Sequence, residues 1–243
     1  MNYKMIYDYH THTTFSHGKG SIEDNVREAI KKGLKEIAIT DHGPGHLTYG
    51  IKRKAVPIMR AEVERLSELF PEIKILLGVE ANIISTGNYL DVKPEEFADY
   101  DFVIAGYHYG IQHGYCIKNY LKSHGFFKTK KSMDKLCRLN TEMTIEAIKN
   151  NNIKVLTHPG DKGPFDIELI AKACAKYDVL MEINTKHFHL TADEIKIAAR
   201  EDVKFIIGSD AHTPEAVGTY QGSLVRAISA GLDPARIVNV EKI

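Results

Sequence analysis

Seven short apolar runs punctuate the chain, and each leads into a polar side chain that can bind a metal. His10 and His12 follow MIYDY, His42 follows EIAIT, Glu80 follows IKILLGV and His108 follows FVIAGY. His158 follows IKVLT, Asn184 follows VLMEI, and Asp210 with His212 follows VKFIIGS. Rich in β-branched residues, these runs predict strands at about 5–9, 35–40, 73–79, 101–107, 153–157, 178–183 and 203–208. Helical patterns lie between them. Ser21-Ile-Glu-Asp resembles a capping box, with Asp in place of Glu, and opens a helix that stops near Gly33. Ile58, Val63, Leu66 and Leu69 recur at helical spacing within 55–69. Further helices are expected at about 132–151, 165–176, 191–200 and 214–230, with Gly231 as the last stop.

Strand alternating with helix predicts parallel pairing through right-handed crossovers. An open doubly wound sheet gathers ligands only near its switch point, whereas here nearly every strand end carries one. A closed barrel brings all strand ends to one face, where barrel enzymes build their sites. The expectation is one α/β barrel domain of seven strands over residues 1–243, with a metal site at the carboxyl face of the strands.

The charges bound the partners. Lys plus Arg equals Asp plus Glu, 32 each, so no overall attraction to nucleic acid or an anionic membrane is expected. No apolar run approaches the roughly 18 residues needed to span a bilayer, and the amino terminus lacks the apolar core of a secretory signal. Cys116, Cys137 and Cys174 lack CxxC spacing and read as reduced thiols, so a cytoplasmic location is expected. Two loops, 43–54 and 109–131, are long for such units. The second carries Lys118, Lys122, His124, Lys128, Lys130 and Lys131 among Tyr115, Tyr120, Phe126 and Phe127, and is expected to contact substrate.

The metal chemistry rests on the joint pattern. His10-Thr-His12 puts two imidazoles on one side of an extended backbone, and Asp210-Ala-His212 repeats the spacing. His17 and His42 sit in loops just past strands, and each alone reads as a surface residue. Together His10, His12, His17, His42, Glu80, His108, His158, Asp210 and His212 exceed what one ion needs. Imidazoles mixed with carboxylates suit Zn first, with Mn or Fe as alternatives. Glu80, reached through an apolar run, would be costly to bury without a cation and has two oxygens to share between ions.

These residues lie in His10-Thr-His12, Thr40-Asp41-His42-Gly43, Gly78-Val79-Glu80, Gly106-Tyr107-His108, Thr157-His158-Pro159-Gly160 and Gly208-Ser209-Asp210-Ala211-His212. In these motifs the chain resembles the PHP (polymerase and histidinol phosphatase) family, and most of all its small stand-alone bacterial phosphatases. The resemblance implies a distorted (βα)7 TIM-like barrel holding three divalent metal ions. One ion would take His10, His12, Glu80 and Asp210; a second His17, His42 and His212; a third Glu80, His108 and His158. It implies hydrolysis of a small phosphomonoester by a metal-bridging hydroxide, with Glu80, Asp210 and His212 as the catalytic group. Segment 109–131 departs from the family pattern by its length and basic charge.

Around that site Arg53 and Arg60 are candidate phosphate contacts or solvated helix charges. Asn184 is expected to hydrogen-bond a ligand or its supports, and His187 to touch substrate from the rim. Asp41 is expected to orient the His42 imidazole or to form a structural salt bridge. His46 and His113 read as solvated loop residues, with substrate contact as the alternative, and His189 as a second rim residue beside His187. A phosphodiesterase or exonuclease would need a basic, aromatic groove, which the neutral chain argues against. An amidohydrolase would carry its bridge on the fourth strand, which here ends in His108. A metal-storing protein is the remaining alternative, and activity with added metal separates it.

Overall fold

The structure, a computed structural model, describes residues 3–126 and 128–243; Phe127 of the basic segment lies outside the described residues. A short strand β1 (Tyr3–Met5) leads into β2 (Tyr7–Asp8). The sheet continues through β3 (Glu36–Ile39), β4 (Lys74–Asn82), β5 (Phe102–Gly106), β6 (Ile153–Leu156), β7 (Leu180–Asn184) and β8 (Phe205–Gly208). From β2 to β8 the seven strands pair in chain order, all parallel. They form a nearly closed TIM-like barrel, as the alternation of runs predicts. The first run is broken in two, however. β1 leaves the barrel and pairs antiparallel with a carboxyl-terminal strand, β9 (Val240–Lys242), which the apolar pattern does not announce.

Closure between β8 and β2 uses little regular ladder. At the upper end Thr11 bridges Ala211, with the His12 amide donating to the Ala211 carbonyl at 2.8 Å. At the lower end the buried Asn239 side chain splices the seam. Its amide donates to the Tyr7 carbonyl (2.9 Å) and the Ile207 carbonyl (2.7 Å), while its oxygen accepts from the Ile207 amide at 2.9 Å. Asn239→Ala strands those backbone groups. We expect it to destabilise the fold by about 3 kcal/mol in urea denaturation, roughly 1 kcal/mol per lost bond. A change below about 0.5 kcal/mol would show that the seam holds without it.

Helices α1 (Ile22–Lys31), α2 (Val56–Leu69), α3 (Cys116–Ser123), α4 (Lys130–Asn150), α5 (Ile167–Lys176), α6 (Ala192–Ala198) and α7 (Gln221–Ser229) follow the predicted segments, with α3 added and α7 shortened. The capping box at Ser21 forms: its hydroxyl accepts from the Asp24 amide while Asp24 accepts from the Ser21 amide. The helix read across 214–230 begins only at Gln221, because Pro214–Ala216 makes one tight turn and Gly218 adopts a positive φ. In α2 the buried stripe is Val56, Met59, Val63 and Leu66. Ile58 and Leu69, expected on that stripe, are exposed, one off its angular position. Among the described residues no helix is long and apolar enough to cross a membrane.

Inside the barrel, side chains alternate along each strand and change character with height. Ile104, Val155, Leu180 and Ile206 make an apolar floor with Tyr7, Tyr9 and Phe102 packed against it. On β7, two residues past Leu180, comes Glu182, and β4 brings in Glu80, both at most 1% exposed. Room for two carboxylates comes from missing side chains across from them. A Cβ on Gly208 would lie 1.9 Å from Glu182 Oε1, and one on Gly106 would lie 3.0 Å from Glu80 Oε1. The helices cover the outer face with the main core, so this polar layer opens only at the top.

Candidate metal centre

The top of the barrel gathers the nine sequence-predicted donors. β4 runs on past its expected end, so Glu80 lies within it rather than after it. Its Oε1 lies 3.2 Å from His10 Nε2, 3.0 Å from His158 Nε2 and 3.4 Å from His108 Nε2, and accepts from the Thr157 hydroxyl at 2.7 Å. Its Oε2 lies 2.9 Å from His42 Nδ1 and 3.6 Å from His12 Nε2. Asp210 Oδ1 stands 3.3 Å from His12 Nε2, 3.8 Å from His10 Nε2 and 3.2 Å from His212 Nδ1. His17 closes the group from the first loop, its ring 4.9 Å from His42 and 4.2 Å from His212.

Among the described residues, four overlapping triads have donor atoms close enough to share an ion: His10–His12–Asp210, His12–His42–His212, His10–Glu80–His158 and His42–Glu80–His108. These overlap the expected sets, but His42 stands beside Glu80 and His108 as well as beside His212. The donors also fail to satisfy one another. His10 Nε2, His12 Nδ1 and Nε2, His17 Nδ1, His42 Nδ1, His108 Nε2 and Glu80 Oε2 are buried without a properly directed hydrogen bond. Buried polar atoms are normally paired, so this concentration fits residues that ligate a cation.

The electrostatics agree. Burial alone would raise the Glu80 and Asp210 carboxyls, but His10 with His108, and His10 with His12 and His212, hold them well below the usual range. Desolvation drives His12 well below its ordinary value and takes His17 and His108 to about 3. Burial opposes protonation of His10 too, yet Glu182, Glu80 and Asp210 raise it well above that value. Ionised carboxylates beside neutral His12, His17 and His108 are the protonation state that metal ligation requires, whereas His10 and His158, raised by the carboxylates around them, would release their protons to an incoming ion.

Above the donors lies a cleft of about 240 Å³, lined in part by Tyr49, Tyr109, Asp161, Lys162, Lys186 and His187. Lys186 Nζ is 2.9 Å from His212 Nδ1 and 3.6 Å from Asp210 Oδ1. Lys162 pairs with Asp161 and stands over the Tyr109 ring. His187 is held between Asp161 Oδ1 (3.2 Å) and Asp210 Oδ2 (3.3 Å). Sequence reasoning picked out His187 and passed over both lysines, although Lys186 and Lys162 each follow a strand end by only a few residues.

Other expected contacts lie elsewhere. Arg53 pairs with Glu96 and Arg60 with Asp101, and neither lines the cleft. Asn184 is fully buried; its amide donates to Glu182 and Asp210, and its oxygen accepts from the His187 amide. His46, read as a solvated loop residue with substrate contact as the alternative, lines the cleft beside His42. Asp41 does not orient His42. It accepts from the Thr13 amide and from the hydroxyls of Thr13 and Ser16, pinning the loop that carries His17. Among the described residues of segment 109–131, only Tyr109 lines the cleft. Cys116–Ser123 of the segment form α3, fastened to α4 by reciprocal amide bonds between Asn119 and Asn140 at 3.0 and 2.9 Å.

Comparison with known proteins accords with this geometry. A probable phosphatase of Thermoanaerobacter sp. (strain X514) is 32% identical over 98% of this chain and 91% of its own length. The probable phosphatase YcdX of Escherichia coli (strain K12) is 29% identical over 96% and 89%. Among solved structures, a histidinol phosphate phosphatase from Lactococcus lactis, complexed with zinc, L-histidinol and phosphate, superposes with a TM-score of 0.63. It covers 94% of this chain and 95% of its own at 21% identity, a likeness of fold. The model of the PHP domain matches residues 8–191, and the chain belongs to the PHP domain family.

Proposed function

We propose that the protein is a metal-dependent phosphoesterase that releases phosphate from a small phosphomonoester. The observation that carries this reading is the set of unsatisfied buried imidazoles around ionised Glu80 and Asp210, at the floor of a cleft edged by two lysines. His10, His12, Glu80 and Asp210 would hold one divalent ion, His17, His42 and His212 a second, and Glu80, His108 and His158 a third, with Zn first and Mn or Fe as alternatives. Bound there, such ions supply Lewis acidity and an activated water near neutral pH.

The chain's own residues supply the remainder. Lys162 and Lys186 attract the phosphoryl group and hold its oxygens over the donors, in a reaction governed by positioning and charge neutralisation. Asp161 fixes the His187 ring beside Asp210, which stands against His212, so that Asp210 or a site histidine would protonate the departing oxygen. Tyr49 and Tyr109 line the cleft beside these groups. Its volume lies below the roughly 300–1,000 Å³ of typical ligand pockets, which favours a small ester over a polymer strand. The relatives' names, probable phosphatases, support the same class.

The test is phosphate release from a panel of small monoesters, histidinol phosphate among them, with Zn²⁺ or Mn²⁺, beside a single-stranded oligonucleotide. Turnover of monoesters is expected. Cleavage of the oligonucleotide alone would overturn the reading in favour of a phosphodiesterase, and no hydrolysis of either would overturn it outright. Lys186→Ala should raise KM roughly tenfold, about 1.5 kcal/mol for one charge-assisted contact. Arg53→Ala and Arg60→Ala, which break exposed pairs worth below about 1 kcal/mol, should leave kcat and KM within about twofold.

A further inference from the structure

The sixth strand of the barrel series, β7, was expected to contribute only Asn184, yet two residues earlier it places Glu182 in the layer beneath the donors. Three nitrogens converge on this one carboxylate. His10 Nδ1 lies 2.6 Å from Oε1, while Oε2 accepts from the His158 amide at 2.8 Å and from Asn184 Nδ2 at 2.9 Å. The far nitrogen of His10, Nε2, faces Glu80 at 3.2 Å and Asp210 at 3.8 Å without a directed hydrogen bond. Gly208 leaves the space Glu182 occupies, since any Cβ there would overlap its Oε1.

We propose that Glu182 is a positioning residue of the metal centre. It holds the proton of His10 on Nδ1, so that Nε2 is the nitrogen offered to an ion shared with Glu80 and Asp210. An imidazole whose second nitrogen donates to a carboxylate is locked in one tautomer and one ring orientation, and is a stronger ligand for it. A purely structural filler has no need of charge. A carboxylate in this layer costs desolvation that an apolar side chain of similar volume avoids, and packing alone does not offset it. The inference rests on the metal-centre part of the proposed function and not on which ester is hydrolysed.

The first experiment is Zn²⁺ affinity by competition with a chromophoric chelator, without substrate. Glu182→Gln keeps the volume but offers a single oxygen and a donor where three donors converge. It should weaken binding roughly 10–100-fold. In a His10→Ala background the same substitution should cost less than about threefold, because its effect passes through His10. Unchanged affinity in folded Glu182→Gln, or equal losses in both backgrounds, would overturn the proposal. The second needs no variant. In Zn²⁺-loaded wild-type protein, long-range ¹H–¹⁵N correlations should place the His10 proton on Nδ1 and the metal-shifted resonance on Nε2, and the reverse pattern overturns it. Phosphate release is scored separately. A protein that binds zinc as described but hydrolyses no monoester refutes the phosphatase reading and leaves the role of Glu182 standing.

Discussion

Glu80→Ala should lower metal-stimulated phosphate release by at least about a thousandfold, roughly 4 kcal/mol of transition-state stabilisation. The size of the effect follows from how many partners share this one side chain. Its two oxygens face His10, His158 and His108 on one side and His42 and His12 on the other. Loss of a single preorganised electrostatic contact in an enzyme site typically costs about 10²–10³ in rate, and here the carboxylate that two expected ion positions share is removed at once. Glu80→Gln is the companion variant. It preserves volume beside Gly106 and Thr157, so circular dichroism and urea denaturation can show a folded chain while elemental analysis shows reduced metal content. Full activity in a metal-depleted Glu80→Ala protein would sink the mechanism.

Much of this centre was legible because a parallel barrel turns one-dimensional recurrence into proximity. His10, His42, His108, His158 and Asp210 each sit just past a strand end and Glu80 two residues before one, and barrel closure brings strand ends together whatever the loops do. Glu182 escaped the same reasoning for a physical reason. It lies inside an apolar run, and nothing in VLMEI says whether its alternate positions face the barrel interior or the helices until the strand register is known. The arginines misled for the opposite reason. Bidentate geometry suits phosphate and carboxylate alike, and Glu96 and Asp101, remote in sequence, are the nearer anions.

The irregular parts were the least legible. Pairing of β1 with β9 joins the two ends of the chain, a contact with no local signal. Asn239 reads as an ordinary polar residue near the carboxyl end, and only the gap between β8 and β2 gives its amide a purpose. The basic segment 109–131 looked like a substrate loop because lysines alternated with aromatics. Its fixed point is instead the buried Asn119–Asn140 pair, and the lysines at the cleft belong to other loops.

Zinc should stabilise the protein steeply, and by an amount that reports on how many sites fill. Without an ion, the fold buries imidazole nitrogens of His10, His12, His42 and His108 that have no directed partner, each costing on the order of 1–3 kcal/mol of lost solvation. An ion bound only by the folded chain adds RT ln(1 + [L]/Kd), about 2.7 kcal/mol per site at a hundredfold excess over Kd. For a chain of this length each kcal/mol raises Tm by about 2–4 °C, so one filled site gives a rise of roughly 5–10 °C and three give more than about 15 °C. Differential scanning calorimetry of chelator-treated protein against zinc concentration measures it. Glu80→Ala should lose most of the rise, because the shared carboxylate serves two of the expected sites. A Tm insensitive to zinc, or a rise of the same size in Glu80→Ala, would place any zinc binding outside this cluster and remove the physical basis for reading the unpaired imidazoles as ligands.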